Sequence, residues 1–261
     1  MDAHTLFILT AIAVTSFALS FYGAAVGLVL GHLRLPLLIY YLPSTAAGMA
    51  ANLVISGLGG LTGAVRHARS GNVSLHLLAL MGIPSVIGAL LGAFFLVRID
   101  SAWARVAIGV FLVTSGVNLL FFRTTVATVA NPFRALRVLW EILIGLAIGF
   151  LAAVTGLMLG SLRLPMMIRL HRVDPRVAVG TNMAIGCLTA FAGSLALWPK
   201  GVHLPLLTLL IVAPPTILGG YLGARFTSRV RKEALQCLVG CTVALTGVGM
   251  AAEGVWKTLL S

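Results

Sequence analysis

Long apolar runs, separated by short polar turns, make up most of this sequence. Each run is long enough to cross about 30 Å of hydrocarbon at about 1.5 Å per residue, and Glu141 is the only Asp, Glu, Lys or Arg inside any of them. Helices are expected because open strands would leave backbone groups unpaired in lipid. The pattern therefore predicts an all-α, polytopic membrane protein with about eight transmembrane helices, at residues 6–30, 44–65, 73–97, 106–122, 138–162, 177–198, 204–224 and 234–252.

One segment of the sequence occurs twice. Residues 27–36 read GLVLGHLRLP and residues 156–165 read GLMLGSLRLP; they differ at two positions and lie 129 residues apart. Each copy leaves an apolar run through two glycines and reaches a lone arginine and a proline. Further matches pair Asn52 with Asn182, Pro84-Ser85 with Pro215-Thr216, and Gly88-x-x-x-Gly92 with Gly219-x-x-x-Gly223.

These matches predict a fused tandem duplication. The first transmembrane repeat is residues 1–122, a basic connector is 123–137, and the second repeat is 138–261. Internal repeats are typical of secondary transporters, with the substrate site between the halves. Four crossings per half would give both halves the same orientation, which the span count favours. If the doubled motif is re-entrant or broken, that parity fails, and an inverted pair becomes the alternative.

Composition and charge fit this interpretation. Hydrophobic residues make up 59% of the chain and charged residues 9%, far below the roughly 25% charge of a soluble domain. The net charge of +12 needs no nucleic-acid partner, because membrane topology and anionic headgroups explain it. The larger share of Lys and Arg falls in the loops around Arg34, 98–105, 163–176 and 225–232. The positive-inside tendency places those loops in the cytoplasm and both termini outside the cell (inner) membrane.

Few polar groups lie at membrane depth. The acids other than Glu141 fall in loops or at span ends, which argues against a carboxylate-based cation pump or intramembrane enzyme. Glu141 is either an interfacial carboxylate near a helix start or a coupling site. Asn52, Asn182 and Thr181 can donate hydrogen bonds to an oxyanion, or the asparagines can pair helices. No nucleotide, catalytic or zinc motif is present, so no catalytic residue, metal or cofactor is predicted.

The stretches GLMLGSLRLPMMIRLHRVDPRVAVGTNMAIG and LTGAVRHARSGNVSLHLLALMGIPSVIGALLGAFFLVR resemble the sulfite exporter TauE/SafE family of membrane permeases. The resemblance covers almost the whole chain. It implies transport of small sulfur-containing anions such as sulfite or organosulfonates. By position, the substrate-lining residues that it implies are Gly156, Gly160, Arg163, Pro165, Thr181 and Asn182, with the first-half counterparts Gly27, Gly31, Arg34, Pro36 and Asn52.

The resulting hypothesis is a secondary permease that exports a small oxyanion by alternating access between two repeats. The doubled segments would meet near the midplane, with Arg34 and Arg163 attracting the anion at the cytoplasmic mouth. An accessory membrane subunit and an anion channel are the alternatives. The expected partners are the anionic substrate and the lipid bilayer, and a homo-oligomer stays open.

Overall fold

The described part of the chain is helical and contains no strand. The computed structural model describes residues 3–28, 30–95, 134–156, 158–169, 173–198, 202, 206–227 and 229–260, with short stretches between 106 and 121. Its helices are α1 (Ala3–Val26), α2 (Gly31–Tyr41), α3 (Thr45–Arg69), α4 (Leu75–Leu77), a π-helical turn (Leu78–Gly82), α5 (Ile83–Phe95), α6 (Arg134–Thr155), α7 (Gly160–Arg169), α8 (Pro175–Leu197), α9 (Leu206–Thr227) and α10 (Lys232–Leu260).

Seven of the described helices are long and apolar enough to cross a membrane. They confirm the predicted all-α, polytopic membrane fold. The fourth predicted span, residues 106–122, falls largely outside the described residues. The other seven predicted spans correspond to α1, α3, the α4–α5 helix, α6, α8, α9 and α10.

The doubled motif changes the boundaries of two predicted spans. α1 ends at Val26 and α6 ends at Thr155. Gly27 and Gly156 follow with φ values of +75° and +66°, a left-handed conformation that favours glycine, and the chain reverses there. The break is therefore at the first glycine and not at the proline, because Pro165 lies inside the following helix.

The arginine of each motif lies on a short helix. α2 has 11 residues and α7 has 10, or about 15–17 Å of helix, which is about half of a membrane crossing. α2 runs antiparallel to α3, whereas α1 and α3 run in the same direction. The contacts that fix these directions are Gly31 with Ser56 and Ile39 with Gly48 for α2, and Ser20 with Gly59 and Ala24 with Gly63 for α1.

The two halves have opposite orientations, so the parallel arrangement that the span count favoured is wrong. α3 packs along α8 in the antiparallel direction. The physical reason is that α2 and α7 carry the chain back toward the face where α1 and α6 begin, so each motif cancels the crossing before it, and the parity of four crossings per half fails. The contacts between α3 and α8 are Leu53 with Gly193, Gly57 with Phe191, Gly60 with Cys187 and Gly63 with Met183.

Two further helix pairs join the halves. α1 packs against α9, and α5 packs against α6. Glycines allow both backbones to approach closely, as expected for small residues in lipid-embedded helices. The duplication itself stays a prediction, but its matched residues make matched contacts: Gly88 and Gly92 with Leu146 and Phe150, and Gly219 and Gly223 with Phe17 and Phe21.

Candidate functional site

Arg34 is buried on α2 and is held by neutral groups. Its side chain is 2% exposed. Nε and Nη2 donate to Oδ1 of Asn52 at 3.1 and 2.9 Å, and Nη2 also donates to Oγ of Ser56 at 2.7 Å. Nη1 donates to Oγ of Ser16 at 3.4 Å. Each nitrogen of this guanidinium therefore has an acceptor, and none of these acceptors carries a charge.

Arg163 occupies the corresponding place on α7 but has fewer partners. Its side chain is 1% exposed. Nη1 donates to Oδ1 of Asn182 at 3.3 Å, and Nη2 donates to Oγ of Ser85 at 3.0 Å. Nε has no hydrogen-bond partner among the described residues. This guanidinium keeps an unused donor inside the protein.

Neither arginine has an acidic partner within the described ranges. The hydrogen bonds that they make go to Ser, Asn and backbone oxygens. An arginine at the centre of a transmembrane helix costs about 2.5–3.5 kcal/mol on insertion scales, and such residues usually mark a substrate pathway. The neutral acceptors lower that cost but leave the positive charge uncompensated. Both sites can therefore attract an anion.

The two asparagines connect each arginine to the other half of the protein. Nδ2 of Asn52 donates to the carbonyl oxygen of Gly156 at 3.0 Å, and Nδ2 of Asn182 donates to that of Gly27 at 2.8 Å. Oδ1 of each amide meanwhile accepts from the arginine of its own half. Each chain of contacts runs from an arginine, through an amide, to the reversed turn of the opposite half.

The arginine sites lie at different depths in the membrane. Leu53 of α3 faces Gly193, whereas Gly63 faces Met183, which follows Asn182. Ten residues of helix separate these levels, or about 15 Å. The expectation that both arginines line one cytoplasmic mouth is therefore wrong. The reason is that α2 and α7 lie in opposite halves of the membrane, since the two halves of the protein are inverted.

The motif glycines fit against the asparagines. A Cβ at Gly31 would lie 2.6 Å from Oγ of Ser56 and 3.1 Å from the Asn52 amide, and one at Gly160 would lie 2.7 Å from Nδ2 of Asn182. Only glycine permits this approach of the short helices. These residues thus position the arginine and asparagine side chains, whatever their relation to a substrate.

The remaining predicted site residues lie away from the guanidinium contacts. Thr181 is buried, but its Oγ1 accepts from the backbone N–H of Ser74 at 2.9 Å, so it anchors the turn after α3. Pro36 and Pro165 are part of α2 and α7. Glu141 is buried on α6 and is 4% exposed.

Sequence reasoning missed the serines that hold the arginines. Ser16, Ser56 and Ser85 are all buried, at most 1% exposed. Ser85 also donates to the carbonyl oxygen of Gly145 at 2.8 Å, which ties α5 to α6. The sequence pointed to Ser85 only through the match of Pro84-Ser85 in the first half to Pro215-Thr216 in the second half. Ser16 and Ser56 had no such signal inside their apolar runs.

A small cavity adjoins Arg34. Its volume of about 10 Å³ is near the least that holds one water molecule. Apolar side chains line one part of it, and hydroxyls and glycines line the rest. Its polar and glycine lining consists of Ser20, Gly31, Arg34, Ser56, Gly59, Gly60 and Thr216.

The sequence matches a known family of membrane transporters. A profile described as Sulfite exporter TauE/SafE matches residues 12–250, nearly the whole chain. The chain belongs to this family. As a TauE/SafE protein it is a membrane transporter and not an enzyme.

Two relatives support the same assignment. Over 230 residues the chain is 24% identical to the probable membrane transporter protein YunE of Bacillus subtilis (strain 168), covering 82% of this TauE/SafE chain and 83% of YunE. It is 26% identical over 237 residues to the probable membrane transporter protein YdhB of the same organism, covering 88% and 93%. No solved structure matches the chain.

Proposed function

We propose that this protein is a secondary permease for a small sulfur-containing oxyanion, such as sulfite or an organosulfonate, and that it exports its substrate by alternating access. The observation that carries the proposal is the pair of guanidiniums buried at membrane depth without an acidic partner among the described residues. A guanidinium presents parallel N–H donors that match two oxygens of an oxyanion. Membership of the TauE/SafE family supports the same substrate class.

The Arg–Asn–Gly contacts suggest how anion binding moves the two halves. An anion that takes hydrogen bonds from Nε and Nη2 of Arg163 draws the guanidinium toward itself and away from Oδ1 of Asn182, which lies 3.3 Å from Nη1. The Asn182 amide then loses the contact that orients it, and its bond to the Gly27 carbonyl oxygen weakens. Binding in one half thereby loosens a contact with the other half. A ligand shifts a conformational equilibrium only through such a difference between states.

The basic residues support an orientation with both termini outside the inner membrane. The ends of α3 and α9 and the starts of α6, α8 and α10 share one face, since Arg176 bonds to the Val230 carbonyl oxygen and Ser74 bonds to Thr181. Within the described helices, Lys257 is the only basic residue near the opposite face. The positive-inside tendency then makes the first face cytoplasmic. Its basic residues in the described part of the chain are Arg66, Arg69, Arg134, Arg137, Arg169, Arg176, Arg225, Arg229, Arg231 and Lys232.

This orientation supports export. Asn182 is the eighth residue of α8, about 10 Å from the cytoplasmic face, and Asn52 is the eighth residue of α3, counted from the other face. In this proposed orientation, Arg163 lies in the cytoplasmic half of the membrane and Arg34 in the outer half. An exported anion would meet first Arg163, whose Nε has no partner among the described residues.

The test is flux in proteoliposomes that contain the purified protein. Vesicles loaded with unlabelled sulfite should accumulate radiolabelled sulfite transiently, since exchange of this kind is a property of carriers and not of channels. Unlabelled thiosulfate, sulfate and taurine, added one at a time, would compete with radiolabelled sulfite, and their inhibition of uptake would rank them as substrates. If no member of this panel is transported or competes, the oxyanion proposal is wrong. Uptake without saturation or exchange would favour a channel.

A further inference from the structure

The two buried arginines differ in how many of their N–H groups donate hydrogen bonds to the protein. We infer that Arg163 is the guanidinium that binds the transported anion, whereas Arg34 is held by built-in hydroxyls and binds no anion. This inference rests on the proposed function, because it identifies the part of the site that takes the substrate. It goes against the expectation from the doubled motif, in which both arginines are equivalent.

The difference lies in the edge of the guanidinium that grips an oxyanion. Nε and one Nη donate in parallel to two oxygens in a bidentate pair. In Arg34, both Nε and Nη2 already donate to Oδ1 of Asn52, at 3.1 and 2.9 Å, so this edge is occupied. In Arg163, Nε has no partner within the described chain, and Nη2 donates only to the Ser85 hydroxyl.

Two sequence differences between the halves leave Arg163 with fewer acceptors than Arg34. Ser16 and Ser56 accept hydrogen bonds from Arg34. Their matched positions in the second half, 129 and 130 residues later, are Gly145 and Gly186. Glycine has no side-chain acceptor, so Arg163 lacks both contacts. A buried donor left without a partner is destabilising, and a bound oxyanion would supply the missing acceptor.

The cavity beside Arg34 adds polar groups around this arginine. Hydroxyls of Ser20, Ser56 and Thr216 line it, and its volume of about 10 Å³ is near the least that holds one water molecule.

The substrate class follows from the open edge of Arg163. A ligand with two oxygens on one centre can accept from Nε and Nη2 together, displacing only the Ser85 hydroxyl. Sulfite and the sulfonate group of an organosulfonate both have this geometry. A halide can accept at only one point and should bind more weakly.

Gly186→Ser tests the inference by copying Ser56 into the second half. A Cβ at Gly186 would meet only Cε of Met158, at 2.6 Å, and this flexible methyl group can move aside. The new hydroxyl would give Arg163 a counterpart of the Ser56 acceptor, which Arg34 engages through Nη2, and would compete with an anion oxygen at the Nε–Nη2 edge. We expect the dissociation constant for radiolabelled sulfite to rise about tenfold or more, with an unchanged or higher melting temperature.

Gly186→Ala is the matched control, since it adds the same Cβ without the hydroxyl. Its affinity should stay within about twofold of the parent protein. Equal sulfite affinity in Gly186→Ser, Gly186→Ala and the parent protein would overturn the inference while leaving the proposed function intact. If the parent protein binds no oxyanion, both ideas fail together.

Stoichiometry gives a second measurement that needs no variant. Equilibrium dialysis of radiolabelled sulfite against the purified protein should saturate at one anion per chain. Two anions per chain with similar affinity would show that Arg34 also binds the substrate, and would overturn the inference even if Gly186→Ser fails to fold.

Discussion

Replacing Asn182 by Asp would place a carboxylate beside Arg163 without changing the size of the side chain. Oδ1 of Asn182 lies 3.3 Å from Nη1 of Arg163. At that distance two unit charges attract by about 5 kcal/mol for an effective dielectric constant of about 20. The built-in carboxylate would therefore compete with the transported anion for the same guanidinium.

Part of that attraction is offset by the cost of burying the new charge. Allowing for half of it, we expect sulfite to bind at least about 100-fold more weakly, which corresponds to about 2.7 kcal/mol. The variant also loses the hydrogen bond from Nδ2 to the Gly27 carbonyl oxygen, 2.8 Å away. That loss costs about 1–3 kcal/mol of stability, against which the new ion pair acts. The melting temperature should therefore change far less than the affinity.

The assay is binding of radiolabelled sulfite to the purified variant in detergent, followed by exchange in proteoliposomes. Asn182→Ala is the matched control because it removes the same bond to Gly27 without adding a charge. It should keep saturable binding, whereas Asn182→Asp should lose it. Folded Asn182→Asp protein with the affinity of the parent would refute the reasoning, because a carboxylate at Arg163 would then not compete with the substrate.

The other predictions concern the same contacts. Asn182→Ala should lower the sulfite exchange rate about tenfold without loss of folded protein, since the link between Arg163 and Gly27 is gone; exchange at the parental rate would leave this residue a packing role. Arg163→Lys keeps the charge but removes the two parallel N–H donors of the guanidinium, so sulfite affinity measured by equilibrium dialysis should fall at least about tenfold. An unchanged affinity would argue against bidentate binding. Gly27→Ala should lower the free energy of unfolding by about 1–3 kcal/mol in a denaturant titration, because φ is +75° and Val179 lies 2.6 Å from the added Cβ; a stability loss below about 0.5 kcal/mol would mean that the turn relaxes easily.

The membrane fold could be predicted from the sequence because lipid requires long apolar helices. Seven of the predicted spans correspond to helices, since hydropathy alone sets their length. The boundaries at Gly27 and Gly156 could not be found in this way. Both glycines lie within apolar sequence, and a chain reversal there leaves the hydropathy unchanged. The orientation of the halves depended on these two turns, so the parity argument failed with them.

The arginines and asparagines of the site could be predicted because they repeat and because polar groups are rare at membrane depth. Their geometry could not. A lone arginine beside an apolar run is most simply placed at the membrane surface, where its charge stays hydrated and costs little free energy. Arg34 lies deeper because Asn52 and the serines supply acceptors, and these come from two different helices, α1 and α3. A serine inside an apolar run gives no sign of such a role.

Sulfite exchange in proteoliposomes, measured for the parent protein and for Arg163→Gln, tests the central claim most directly. The variant removes the buried charge and leaves a neutral hydrogen-bonding side chain. We predict saturable exchange of radiolabelled sulfite by the parent protein and no exchange above empty vesicles by the folded variant. Parental exchange rates in Arg163→Gln would contradict the claim that the buried guanidinium binds the transported anion.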